Sequence, residues 1–170
     1  MAKTAGIVLA GGRSARMGTN KALLPYKSIP LVEHMSQLLR QAGLADVYIS
    51  GDVLGYTCIN DAVRHDGPAQ AMHNLLTRFA DDYERLLFVP VDMPLIQVKA
   101  LDDLMAHDGS VYYDGYPLPV CLSAGKVEGD CHSVRDLLAA KKARSIELPA
   151  AYDKTMSNIN TKKDWEIITS

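Results

Sequence analysis

Residues 6–21 read GIVLAGGRSARMGTNK, an apolar run that breaks into a glycine-rich loop carrying Arg13, Arg16 and Lys21. Glycines let backbone N–H groups approach an anion closely, and the three cationic side chains add full charges to those dipoles. The chemistry such a loop serves is phosphate binding. A P-loop would place Lys directly after its last glycine, then Ser or Thr, whereas Gly18 is followed by Thr19, Asn20, Lys21 and Ala22. The dinucleotide fingerprint G-x-G-x-x-G is absent too.

Asp92 stands between Val91 and Met93-Pro94, at the end of a second apolar run. A carboxylate there is dehydrated unless something pairs with it, and Mg²⁺ is a natural partner beside a phosphate. The rival reading is an N-cap for the helix that follows, which Pro94 fits equally well. Asn158 and Asn160 alternate around Ile159. In an extended segment both amides point one way while Ile159 is buried opposite; a loop capping the helix at Lys162 is the alternative. The histidines at 34, 65, 73 and 107 form no metal spacing or catalytic triad.

The elements that must position these groups alternate between strand and helix patterns. Strands are expected at residues 5–10, 46–50, 85–91, near 110–113, near 118–122 and at 145–148. Helices are expected from Leu31 to Ala42, around Met72 to Phe79, at 95–106, 133–140 and 162–168. Pro30 falls in the first turn of the earliest helix and Gly43 just past its end. The fold class implied is α/β: one domain over residues 1–170, a mostly parallel twisted sheet with helices on both faces. Ligands on such sheets bind beyond the carboxyl ends of the strands, where both the basic loop and Asp92 would lie.

Composition narrows the partners. Eighteen basic against 20 acidic residues leave no overall basic field for nucleic acid. Three cysteines without a CxxC spacing give neither a disulfide framework nor a zinc site. The N-terminal apolar run is too short for a membrane span or a signal peptide, so the cytoplasm is the expected compartment.

The loop resembles the LAGGxSxRMGxxK signature of the nucleotidyltransferases, and most closely that of the molybdenum cofactor guanylyltransferase family. Four further segments follow in the family's order: Pro30-Leu31-Val32-Glu33-His34, Asp61 with Gly67-Pro68, Val91-Asp92-Met93-Pro94, and Asn158-Ile159-Asn160-Thr161. Together they span nearly the whole chain. The resemblance implies a Rossmann-like fold and transfer of GMP from GTP to the phosphate of molybdopterin, with Mg²⁺ as cofactor. It gives Arg16 and Lys21 to the triphosphate and the backbone of Leu9, Ala10, Gly11 and Gly12, with Asp61 and Gly67, to the nucleotide. Asp92 becomes the metal ligand, and Asn158 and Asn160 orient the acceptor. Asp66 rivals Asp61 for its place. Transient contacts with cofactor-synthesis or acceptor proteins would follow.

Three departures from the family pattern stand out. Ala71 replaces a glycine, and its methyl group is expected to crowd the base. Asn20 replaces an acid but keeps a hydrogen-bonding group. His132 takes the place of an arginine before Ser133-Val134-Arg135, which weakens an anion contact or makes it pH-dependent. Two alternatives remain at this point: a related nucleotidyltransferase using CTP or another phosphorylated acceptor, and a non-catalytic carrier of the pterin cofactor.

Overall fold

The computed structural model describes residues 3–11, 20–60 and 67–170. Its centre is β1 (Thr4–Leu9) and β5 (Arg85–Pro90), paired in parallel from Thr4 opposite Arg85 to Leu9 opposite Pro90. All six residues of β5 and five of β1 are buried, because both faces of the sheet are covered. β4 (Val47–Ser50) flanks β1 in parallel; β7 (Tyr116–Ser123) flanks β5 antiparallel. Beyond it β6 (Val111–Tyr113) and β8 (Arg144–Ile146) complete the order β4-β1-β5-β7-β6-β8. Only β7 runs against the rest. Apart from this sheet, β2 (Pro25–Tyr26) and β3 (Ile29–Pro30) form a small hairpin.

Strand alternation sorts the side chains onto two cores. Val8, Leu87 and Val89 meet α1 (Leu31–Gln41) and α3 (Val98–Ala106) on one face. Ala5, Ile7, Leu9, Leu86 and Phe88 meet α2 (Pro68–Arg78) and α4 (Val134–Ala140) on the other. Gly6 permits the close seat of α1. A Cβ there would stand 3.0 Å from the Cδ1 atoms of both Leu39 and Leu44.

The helix starts follow their local chemistry. Pro68 occupies the first turn of α2 behind Gly67, whose φ of 79° is in the left-handed region. Ser133 and Asp136 form a capping box on α4, and Thr161 and Asp164 form another on α5 (Lys162–Thr169). The expected elements are all present, with shifted ends. α3 begins at Val98 instead of 95, because residues 91–97 turn to bury Met93 and Ile96 before the helix starts. Pro30 precedes α1 as its N-cap, while Gly43 follows it with a φ of 92°. The 3-10 helix Ala150–Met156 carried no clear periodicity; burial of Tyr152 and Met156 holds it.

Candidate functional site

The chain passes from β1 to β4 on one side and then to β5 on the other, so the order reverses between β1 and β5. Loops diverge there, and a crevice opens beyond the strand ends. Here it is a cleft of about 570 Å³, lined on its polar side by Gly11, Lys21, Asp92, Asn158 and Asn160. Leu9 and Ala10 also line it. These sequence-expected residues come from three distant stretches of chain.

Lys21 opens a 3-10 turn, Lys21–Leu23, that is pinned when the Asn20 side chain accepts the Ala22 N–H at 3.0 Å. The amide at position 20 thus caps the turn that aims the lysine. Lys21 Nζ stands 3.7 Å from Asp92 Oδ2, with the two side chains only 15% and 21% exposed. Burial pushes the Asp92 carboxyl above its ordinary range, and the Lys21 ammonium pulls it back in part. Asp92 does not cap α3, whose N-cap is Gln97. The N-cap reading of Asp92 is therefore set aside.

The turn bearing Asp92 is held from two sides. The Val91 N–H donates to the Leu9 carbonyl at 3.0 Å, and the Ile159 N–H donates to the Asp92 carbonyl at 2.8 Å. His34 on α1 donates through Nε2 to the Pro94 carbonyl at 2.9 Å. Burial of this imidazole, aided by nearby Lys27, holds its pKa below the usual value. Ile159 is 1% exposed while Asn158 and Asn160 both line the cleft, as alternation around Ile159 requires. Asp164 Oδ2 accepts the N–H of Asn160 and of Thr161, each at 2.9 Å. Those bonds, with the Thr161 hydroxyl and Lys21 nearby, hold the Asp164 carboxyl below its ordinary range.

Other expected residues fall differently. Gly67 is exposed and does not line the cleft, although Pro68 beside it does. Ala71 is 5% exposed on the inner face of α2 and is not a lining residue, so its methyl group packs inward. His132 is exposed at the start of α4, its backbone N–H bonded to Asp136. Gly12, Arg13, Arg16, Asp61 and Asp66 lie outside the described residues.

Sequence reading missed two supports. Gly51, with a φ of 135°, packs so closely that a Cβ would stand 2.7 Å from the Gly11 nitrogen. No sequence signal marks it, since the contact joins the ends of β1 and β4. Asp164 was legible as the acid of a T-x-x-D capping box, but its bond to Asn160 was not.

Among the described residues no group of three or more His, Cys, Asp or Glu could hold a metal. Asp92 is half-buried and, among the described residues, is the one carboxylate lining the cleft. That suits a Mg²⁺-type ion, which takes one or two carboxylates together with substrate phosphates and keeps several waters.

A doubly wound sheet with a lysine–carboxylate pair at its switch point defines a nucleotide-handling α/β enzyme. The chain belongs to the MobA-like NTP transferase domain family, whose sequence model matches residues 6–151, and it is a nucleotidyltransferase. It is 35% identical to a molybdenum cofactor guanylyltransferase of Xanthomonas euvesicatoria over 94% of this chain and 91% of that one. A Mycobacterium tuberculosis protein shares the fold at a TM-score of 0.71 and 21% identity, covering 99% and 97% of the two chains. A second crystal structure of that protein is a complex with manganese (TM-score 0.66, 19% identity, 98% of each chain). The molybdopterin-guanine dinucleotide biosynthesis protein A of Archaeoglobus fulgidus has a TM-score of 0.66 at 17% identity, covering 97% and 96%. The family expected from the five motifs is the family found. No helix among the described residues is long and apolar enough to cross a membrane.

Proposed function

We propose that this chain transfers GMP from GTP to the terminal phosphate of molybdopterin, releasing pyrophosphate, with Mg²⁺ as the divalent ion and in the cytoplasm. The observation that carries the reading is the Lys21–Asp92 pair lining one cleft together with Asn158 and Asn160. Similarity to named guanylyltransferases supports the choice of substrates.

A phosphate oxygen of the acceptor attacks the α-phosphorus of GTP. The bond from that phosphorus to the bridging oxygen breaks, and pyrophosphate departs with the electron pair. A phosphate dianion is already nucleophilic near neutral pH, so the protein needs no Ser–His–Asp machinery. Its task is to position two polyanions and offset the charge that develops between them. Lys21 neutralises the triphosphate, and the backbone of Leu9, Ala10 and Gly11 approaches the nucleotide; the family resemblance adds Arg16 to the triphosphate contacts and Gly12, Asp61 and Gly67 to those of the nucleotide. Asp92 would hold a divalent ion, which when bound would supply positive charge to the phosphates. Asn158 and Asn160 donate to the acceptor phosphate, fixed in place by Ile159 and Asp164.

Pyrophosphate release from GTP and a pterin acceptor, with and without Mg²⁺, tests the reaction. Calorimetry with GTP, CTP and ATP tests the base. A site built for guanine leaves its own acceptors unpaired when adenine or cytosine enters. A clear CTP preference would leave only the broader nucleotidyltransferase assignment. Pterin binding without pyrophosphate release would make the chain a carrier.

A further inference from the structure

A second cavity of about 590 Å³ opens on the same rim, beyond the ends of β6 and β8. Among the described residues lining it and those lining the main cleft, Tyr116 alone belongs to both. In the main cleft Lys21 is paired with Asp92, whereas Asp114, Glu147 and Asp153 rim the second, which no Lys or Arg lines among the described residues. Tyr116 stands at the boundary. It begins β7 and is half-buried against the α1–α3 core, so it has less freedom than a loop residue.

Sheet order decides which reactant meets it. Along the rim come Ala10 and Gly11 after β1, then Asp92 after β5, then Tyr116 at the start of β7. In-line displacement puts attacking and leaving oxygens on opposite sides of the α-phosphorus. With the triphosphate at the end of β1, beside Ala10 and Gly11, the acceptor enters from the β7 side. Its phosphate is drawn toward Lys21 and repelled by the three carboxylates, which turns the rest of the acceptor toward Tyr116.

We infer that Tyr116 is a specificity-determining residue for the acceptor, its ring stacking on the flat heterocycle while the acceptor phosphate lies at the Lys21 end. This rests on the guanylyl-transfer reading for the identity of that heterocycle. Neither the glycine loop nor the asparagines supply an aromatic face, so the chain has a reason to place one here.

The test titrates a pterin carrying a phosphomonoester into the full chain with a non-hydrolysable GTP analogue, following pterin fluorescence. Tyr116→Phe should bind within about twofold of the parent, and Tyr116→Ala about 5- to 100-fold more weakly, as expected for a lost stacking face. Tyr116→Leu keeps apolar bulk without a π face and serves if the alanine variant unfolds; it should be weakened likewise. An alkyl phosphomonoester without a ring should bind parent and variants equally, which a general distortion of the cleft would not allow. GTP affinity should stay within about twofold throughout. If the parent binds both ligands and the alanine and leucine variants bind the pterin as well as the parent, the Tyr116 assignment falls alone. If the parent binds the GTP analogue but not the pterin, the acceptor reading falls and takes this inference with it.

Discussion

The backbone N–H of Ile159 donates to the carbonyl oxygen of Asp92 across 2.8 Å, joining segments 67 residues apart in sequence. That bond brings the segment bearing Asn158 and Asn160 beside the turn bearing Asp92. It also buries Ile159, so the asparagines are anchored by an apolar side chain and need not anchor themselves. The acidic turn and the amide segment are thereby one structural unit.

Asp92→Asn should abolish metal-dependent turnover in a folded protein. It should also leave the substrate-free protein as stable as the parent, or more so. Burial raises the Asp92 pKa in the folded state, so the folded chain binds the proton more tightly than the unfolded one. Stability therefore falls as pH rises from the ordinary carboxylate value through the raised one, and the loss persists at neutral pH. Thermal melts of parent and variant at pH 4 to 8, without ligand, should show the parent losing this increment. Near-normal pyrophosphate release by the variant would sink the metal assignment.

Lys21→Ala should reduce turnover by about 10²- to 10³-fold, the usual cost of removing one donor to developing negative charge. Lys21→Arg should recover little, because the Asn20-capped turn aims a compact ammonium at Asp92 and a planar fork does not replace it. Steady-state rates decide this. Alanine variant rates within about threefold of the parent would reduce Lys21 to surface charge.

Gly51→Ala should weaken GTP binding and lower the melting temperature together. Its Cβ would collide with the Gly11 nitrogen and the Ala10 carbonyl carbon, both backbone atoms that cannot swing aside. Overpacking of this kind costs about 1–3 kcal/mol, and each kcal/mol shifts a chain of this size by roughly 2–4 °C. Calorimetry and a melt on one preparation check both effects. An alanine variant with unchanged GTP affinity would detach Gly51 from the nucleotide site.

Asp164→Asn should lower turnover while leaving GTP affinity unchanged, since Asp164 fixes the N–H groups of Asn160 and Thr161 and does not line the cleft. Its depressed pKa contributes stability above the unfolded carboxylate value, which disappears as pH falls through the lower folded value. The parent should lose stability over that acid window, and the variant should lose less. Melts between pH 5 and 2, beside kcat and KM for each substrate, separate the two roles.

Much of the architecture was legible because it rests on local rules. The apolar runs of β1 and β5 read as buried strands since both faces of each are covered, and Pro30 and Gly43 mark the ends of α1 through backbone chemistry. Lys21, Asp92, Asn158 and Asn160 were legible as residue types at the ends of such elements. What local rules could not supply is distance. Whether Asp92 caps a helix or meets Lys21 depends on the turn at residues 91–97, which forms because Met93 and Ile96 find cores elsewhere in the chain. Gly51 carries no signal by itself; its need for a missing side chain exists only once β4 lies against β1. Ala71, expected to crowd the nucleotide, faces the core, because the rotation of α2 is set by packing on the sheet. Tyr116 takes its place between two cavities only when β7 runs backwards beside β5. Sequence alone determined the elements, the family and the chemistry available; tertiary packing decided which groups meet, because a contact between distant residues is a property of the whole sheet and of neither residue.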